Sequence, residues 1–205
     1  MSVIPQLASS LHRRDEAPNE ELAKAIAAKN DKKAVQELIE NLNNKDIQND
    51  CIKVLYETGE RNPALIAPYA HEFLALLNHK NNRLQWGAMT ALNSITLENP
   101  ELIYASLPKI IAAADKGSVI TKDNAVNILI KLCSVKKYAG NAFDLLNEQL
   151  LNSPANQVPM YAEKAMPVIN EKNKNKFITT LNARLAEIDK DSKRKRIEKV
   201  IKKLQ

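Results

Sequence analysis

The stretch ERNPALI at residues 60–66 returns almost unchanged as LENPELI at residues 97–103. In each copy an Asn-Pro pair precedes a Leu-Ile pair, and the two copies lie 37 residues apart. Self-similarity at a fixed period of roughly 20–50 residues is the sequence signature of repeat proteins. The remainder of the chain is therefore expected to keep the same period.

Small side chains do recur at this period. Four of them are separated by steps of 37 residues, at Cys51, Ala88, Ala125 and Ala162. Mostly apolar residues recur with the same step from positions 47, 54, 55 and 58 of the first copy. These positions are spaced as one face of an α-helix, and the small residue is expected where helices pack most closely.

A further amphipathic helix precedes each of these helices. Its apolar face in the second copy consists of Leu65, Ile66, Tyr69, Ala70, Phe73, Leu74 and Leu77. The third copy repeats it with Leu102, Ile103, Leu107, Ile110 and Ile111. The sequence therefore predicts units of two antiparallel helices, joined by short turns such as NHKNN at residues 78–82.

The Asn-Pro pairs are predicted to start successive units. The side chain of Asn62 or Asn99 would accept a backbone N–H as an N-cap, and the following proline fits the first helical position. Pro68 and Pro108 lie further along the first helices, and they are expected to kink those helices or shift their start.

Helix pairs of this length, with kinked first helices and small residues in the second helices, resemble HEAT repeats and the related armadillo family. The resemblance covers residues 22–170 as four units, with residues 1–21 as an N-terminal segment or cap and 171–205 as basic capping helices. It implies an all-α, right-handed superhelix of about four to five helix pairs, with the second helices lining a concave binding surface. One departure is that Asp50 aligns with Gly87, Asn124 and Tyr161, so the regular aspartate of well-formed HEAT repeats is missing.

The composition is globular, with 44% hydrophobic and 26% charged residues. The start of the chain does not resemble a signal peptide, and no apolar stretch approaches the length of a membrane span. The two cysteines lie far apart and have no metal-ligand spacing. These features predict a reduced, cytoplasmic protein without a transmembrane segment.

The candidate binding residues occupy the side of each second helix that faces away from the buried stripe. They are Asn49, Lys53, Tyr56, Trp86, Thr90, Asn93, Asp123 and Asn127. Trp86 is the only tryptophan, and an exposed tryptophan is a good contact anchor for a protein or peptide. The alternative is that Trp86 packs between neighbouring second helices.

The sequence contains no recognisable catalytic motif, metal site or cofactor loop. The first hypothesis is therefore a non-enzymatic scaffold that binds a protein or peptide on its concave face. A second is nucleic-acid binding, which includes a resemblance to HEAT-like glycosylases that excise alkylated bases, with Trp86 and Asp123 in the cleft. A third is another enzyme built on the same scaffold.

Positive charge is concentrated at the C-terminus. From residue 172 onward there are twelve Lys and Arg against four acids, a net charge of +8, which leaves −2 for the rest of the chain. Lys193, Arg194, Lys195 and Arg196 form a patch that could attract nucleic acid or another anionic surface. The alternative is a solvated outer face on a capping helix.

Overall fold

The computed structural model describes residues 2–205, which form α-helices and short 3-10 helices and contain no β-strand. The all-α fold class predicted from the sequence is confirmed. The chain divides into two compact units, one that extends to Ala125 and one that comprises Val126–Gln205. This division falls within one helix, Val119–Cys133. It also falls inside the segment 22–170, which the repeat pattern predicts to be one continuous array.

The first unit contains two layers of helices. Their bounds are α1 Ala17–Lys29, α2 Lys32–Glu40, α3 Gln48–Arg61, α4 Pro63–Ile66, α5 Ala70–Leu76, α6 Asn82–Ser94, α7 Pro100–Ala105 and α8 Leu107–Lys116, and α9 Val119–Cys133 continues into the second unit. Helix α3 packs against α1 and α6, which form one layer with it, and against α2 and α4, which lie in the other layer with α5. The predicted boundary after residue 21 falls inside α1.

The second unit also pairs its helices in two layers. Their bounds are α10 Ala139–Asn152, α11 Val158–Ala165, α12 Lys174–Leu185 and α13 Asp191–Leu204. Helix α11 packs against α13, and α10 packs against α12. Pro159 lies in the first turn of α11, and Pro167 lies in the 3-10 segment that follows it, so α11 has only eight residues.

The 37-residue period is visible in the burial of the side chains. The small residues Cys51, Ala88, Ala125 and Ala162 are all 0% exposed. Apolar residues at the repeated positions beside them, such as Leu55, Leu92 and Leu129, are also 0% exposed. Their shared burial explains the period, because the helix of each copy packs through the same face. That face has to be apolar, and the residue at its closest contact has to be small.

The prolines act at the helix starts and bends as predicted. Proline is the first residue of both α4 and α7. Pro68 lies in the 3-10 segment Ala67–Tyr69 that separates α4 from α5, and Pro108 lies in the first turn of α8.

The predicted asparagine caps are wrong. Asn62 and Asn99 occupy the N-cap positions of α4 and α7, but neither side chain accepts a capping hydrogen bond. The amide of Asn99 instead donates to the carbonyl of Ala67 at 2.8 Å, and the amide of Asn62 approaches Oδ1 of Asn30 at 3.5 Å. Both side chains therefore point toward a residue 32 positions earlier, and they connect consecutive units rather than cap their own helix.

Candidate functional site

Helices α3 and α6 bring five of the predicted binding residues to one side of the first unit, and α9 carries two others, Asp123 and Asn127. The five are Lys53, Tyr56, Trp86, Thr90 and Asn93. Asn49 is also on α3, but it lies at the start of that helix and forms a hydrogen bond to a turn. The expectation that all of them face solvent needs correction. Lys53, Tyr56 and Thr90 are buried, because neighbouring helices cover them.

Lys53 is the centre of a buried ionic cluster. Its side chain is only 10% exposed, and its ammonium lies 2.8 Å from Glu57 and 3.2 Å from Glu20 of α1. The same ammonium lies 5.2 Å from the centre of the Tyr56 ring, within the range of a cation–π contact. A lysine buried in this way holds the neighbouring side chains in place, and its own side chain is barely accessible to solvent.

Glu57 is held ionised by its neighbours. Burial alone would raise the pKa of its carboxyl, but hydrogen bonds from Lys53 and Arg61 outweigh burial and lower that pKa. Arg61 contacts the carboxylate at 2.6 Å. Glu57 therefore carries its negative charge at neutral pH.

Trp86 lies on this cluster and remains partly exposed. Its indole ring is 5.5 Å from the ring of Tyr56 at an interplanar angle of 53°, a tilted aromatic pair. Arg83, one turn earlier in α6, forms an ion pair with Glu16 beside α1. The indole N–H donates to none of the residues that the structure describes. The ring thus packs against Tyr56 of α3 and keeps a part that is open, and its role as a binding anchor stays a prediction.

A chain of polar side chains continues from Trp86 along α6. The hydroxyl of Thr90 donates to the carbonyl of Trp86 at 2.9 Å, and the amide of Asn124 donates to the Thr90 hydroxyl at 3.1 Å. Asn93 in turn donates to Oδ1 of Asn124 at 2.8 Å. These bonds hold the side chains of Thr90 and Asn93 in place beside Trp86.

The remaining predicted residues lie apart from this cluster. Asn49 is exposed, and its Oδ1 accepts a 2.8 Å hydrogen bond from Asn81. Asp123 is partly exposed on α9. Asn127 belongs to the second unit, where its Oδ1 accepts a 3.2 Å hydrogen bond from Lys164.

Glu16, Glu20 and Arg83 are among the residues of this site that the sequence analysis missed. The two glutamates precede or begin α1, which lies outside the 37-residue step, so the repeat could not align them. Arg83 lies three residues before Trp86, one helical turn away, and this spacing is a signal that could have identified it.

The basic patch on α13 is largely paired within the second unit. Arg196 binds Glu163 through two contacts of 2.8 and 2.6 Å, and this pairing lowers the pKa of the Glu163 carboxyl. Lys195 lies 2.8 Å from Asp191, and Lys193 donates to the carbonyl of Asn156 at 3.3 Å. Arg194, the remaining one of the four predicted residues, is exposed and has no ion pair with the residues that the structure describes.

The two thiols are predicted to be unreactive in the folded protein. Burial raises the pKa of Cys51 and of Cys133 to about 12, and Cys51 is 0% exposed. Because the thiolate is the nucleophile, iodoacetamide at about pH 8 should leave Cys51 unmodified in native protein and alkylate it in urea. Mass spectrometry of the two samples checks this, and rapid native alkylation of Cys51 would contradict it.

Residues 2–205 contain no cluster of three His, Cys, Asp or Glu side chains that could hold a metal ion. Over the same residues, no helix combines the length and the apolar character that crossing a bilayer requires. No protein-family model and no curated protein sequence matches this chain.

Proposed function

We propose that the chain is a HEAT-like helical repeat protein that binds a protein or peptide partner without catalysing a reaction. The observation that supports this proposal is a partly exposed Trp86 fixed on buried Tyr56 between two ion pairs. The right-handed superhelical arrangement of the helix pairs and a cytoplasmic location belong to the same proposal.

The contact surface would be the Trp86 ridge, which we define as Glu16, Glu20, Arg83, Trp86 and Asn93. Tryptophan and arginine are the residues most often found at the energetic centre of protein interfaces. The ring is already held by Tyr56 and the flanking charges are already paired, so little side-chain freedom would be lost on binding.

The ridge also indicates the chemistry of its partner. An apolar or aromatic side chain of the partner would cover the exposed part of the indole, and a backbone carbonyl would accept from its N–H. The rim carries both charge signs, as Arg83 and Glu16 show. A polypeptide with an apolar anchor and mixed flanking charges fits this surface better than a phosphate backbone, which needs a row of bases.

Contact with nucleic acid through the C-terminal helix stays a prediction. Deleting residues 190–205 cannot test it cleanly, because Ile197 and Val200 of α13 are 0% and 2% exposed and belong to the core. Charge reversal of Arg194, an exposed residue of the predicted patch, would retain that core.

A peptide-display selection tests the proposed function. Peptides selected on the intact wild-type protein should bind Trp86→Ala about tenfold more weakly, the loss typical of a truncated interface anchor. Leu151→Ala is the matched control, because Leu151 is also a large apolar residue, 42% exposed, in the second unit. Isothermal titration calorimetry measures the affinities.

Equal binding of the selected peptides to wild type and Trp86→Ala would contradict the assignment of the ridge. A selection that enriches no peptide above background would contradict the binding function itself. The melting temperature of each variant, measured in parallel, confirms that a lost interaction is not lost folding.

A further inference from the structure

A polar groove lies between two turns of the first unit, and no residue of the Trp86 ridge lines it. One turn precedes α3 and the other precedes α6, and the groove between them has a volume of about 720 Å³. Its charged lining is Lys45, His79 and Lys80. No carboxylate lines it among the residues that the structure describes, and Asp46, the acid next to Lys45, is not part of the lining.

Gln48 gives the groove a mostly buried residue whose side-chain amide has no protein partner. Only 9% of this residue is exposed, yet it lines the groove. Its side-chain amide makes no hydrogen bond to any residue within 2–205. The side chain is therefore held among its neighbours while its unpartnered amide is available to a ligand that enters the groove.

Both turns are ordered by their own hydrogen bonds. The carbonyl of Asn44 accepts from the N–H groups of Ile47 and Gln48 at 3.1 and 2.8 Å. In the other turn, Nδ1 of His79 accepts from the backbone N–H of Asn81 at 3.0 Å. In neutral His79 the proton is then on Nε2, which leaves that nitrogen as a donor.

The two turns are also joined to each other. The amide of Asn81 donates to Oδ1 of Asn49 at 2.8 Å, while Oδ1 of Asn81 caps α6 by accepting from the N–H of Arg83. The groove therefore lies where the N-termini of α3 and α6 meet, and both helices exceed eight residues. Helix N-termini present N–H groups and a partial positive charge to an anion.

We propose that this groove binds the phosphate group of a small phosphorylated molecule. Its lining offers two ammonium groups, the His79 donor and the Gln48 amide, and it offers no negative charge. Two ammonium groups attract a dianion more strongly than a singly charged group, because the Coulomb energy scales with the product of charges. A phosphate group also has enough oxygens to accept from several donors at once.

The proposal is tested by titrating the intact, ¹⁵N-labelled protein with inorganic phosphate at constant ionic strength. The side-chain amide signals of Gln48, Asn43 and Asn78 should shift together and saturate in the millimolar range. Malate, a dicarboxylate with similar charge, should bind at least about tenfold more weakly. Equal or stronger binding of malate would overturn the assignment to phosphate.

Two sets of variants connect the binding to the groove. Lys45→Ala combined with Lys80→Ala should weaken binding at least about tenfold, while Lys202→Ala combined with Lys203→Ala should leave it unchanged. Gln48→Glu should abolish binding by repulsion and retain the melting temperature, and Gln48→Met should weaken it without repulsion. Non-saturating shifts, or shifts that survive the Lys45 and Lys80 changes, would overturn the proposal.

Discussion

Replacing Lys53 with alanine is expected to lower the free energy of unfolding by about 3 kcal/mol. The substitution removes the ammonium that lies 2.8 Å from Glu57, whose side chain is only 14% exposed. Glu57 then retains Arg61 but loses its more buried partner, and the Tyr56 ring loses the ammonium above it. Breaking one side of a buried ion pair costs more than the pair itself contributes, because a charge is left without compensation.

Urea denaturation measures this loss, and two variants isolate its cause. Glu20→Gln removes the more exposed partner of Lys53 and should cost less than about 1 kcal/mol. The double variant Lys53→Met with Glu57→Gln removes both buried charges and should recover most of the stability. A double variant as unstable as Lys53→Ala would show that packing, and not the unpaired carboxylate, dominates.

Replacing Gly59 with valine is expected to lower the free energy of unfolding by about 3 kcal/mol. A Cβ at this position of α3 would overlap Cδ1 of Ile66 and would lie 2.5 Å from Oγ of Ser94. Ile66 is 0% exposed and cannot move into solvent, so α3 must shift away from α4 and α6. The added methyl groups of valine enlarge the overlap.

Gly140→Val is the matched control for Gly59→Val. Gly140 is also helical, near the start of α10, and a Cβ there meets nothing within 4 Å. Its substitution should change the free energy of unfolding by no more than about 0.5 kcal/mol. Similar losses at both glycines would show that the close approach of α3 to its neighbours is not the cause, because that approach predicts a large loss at Gly59 alone.

The sequence predicted the helices and their buried faces well, because both follow from local chemistry and period. A step of 37 residues finds Cys51, Ala88, Ala125 and Ala162, all fully buried, and proline identifies where α4 and α7 begin. The role of Asn99 could not be predicted in this way. Its hydrogen-bond acceptor is the carbonyl of Ala67, which becomes a neighbour only after the chain has folded.

The site was predicted less completely for a related reason. Lys53 does lie on the side of α3 opposite the repeated stripe, but α1 packs against α3 and contributes Glu20 to Lys53. Helix α1 lies outside the repeat step, so the period says nothing about what it covers. Burial of Lys53 and the pairing of Arg83 with Glu16 are therefore tertiary results that the helical pattern does not contain.

Fluorescence of Trp86 with a selected peptide tests the central claim most directly. Trp86 is the only tryptophan, so its emission and its quenching by acrylamide report on the ridge without any mutation. If the ridge is the contact surface, saturating peptide should shift the emission to shorter wavelength and lower the quenching constant. A peptide that binds by calorimetry but leaves both quantities unchanged would contradict the placement of the binding surface at Trp86.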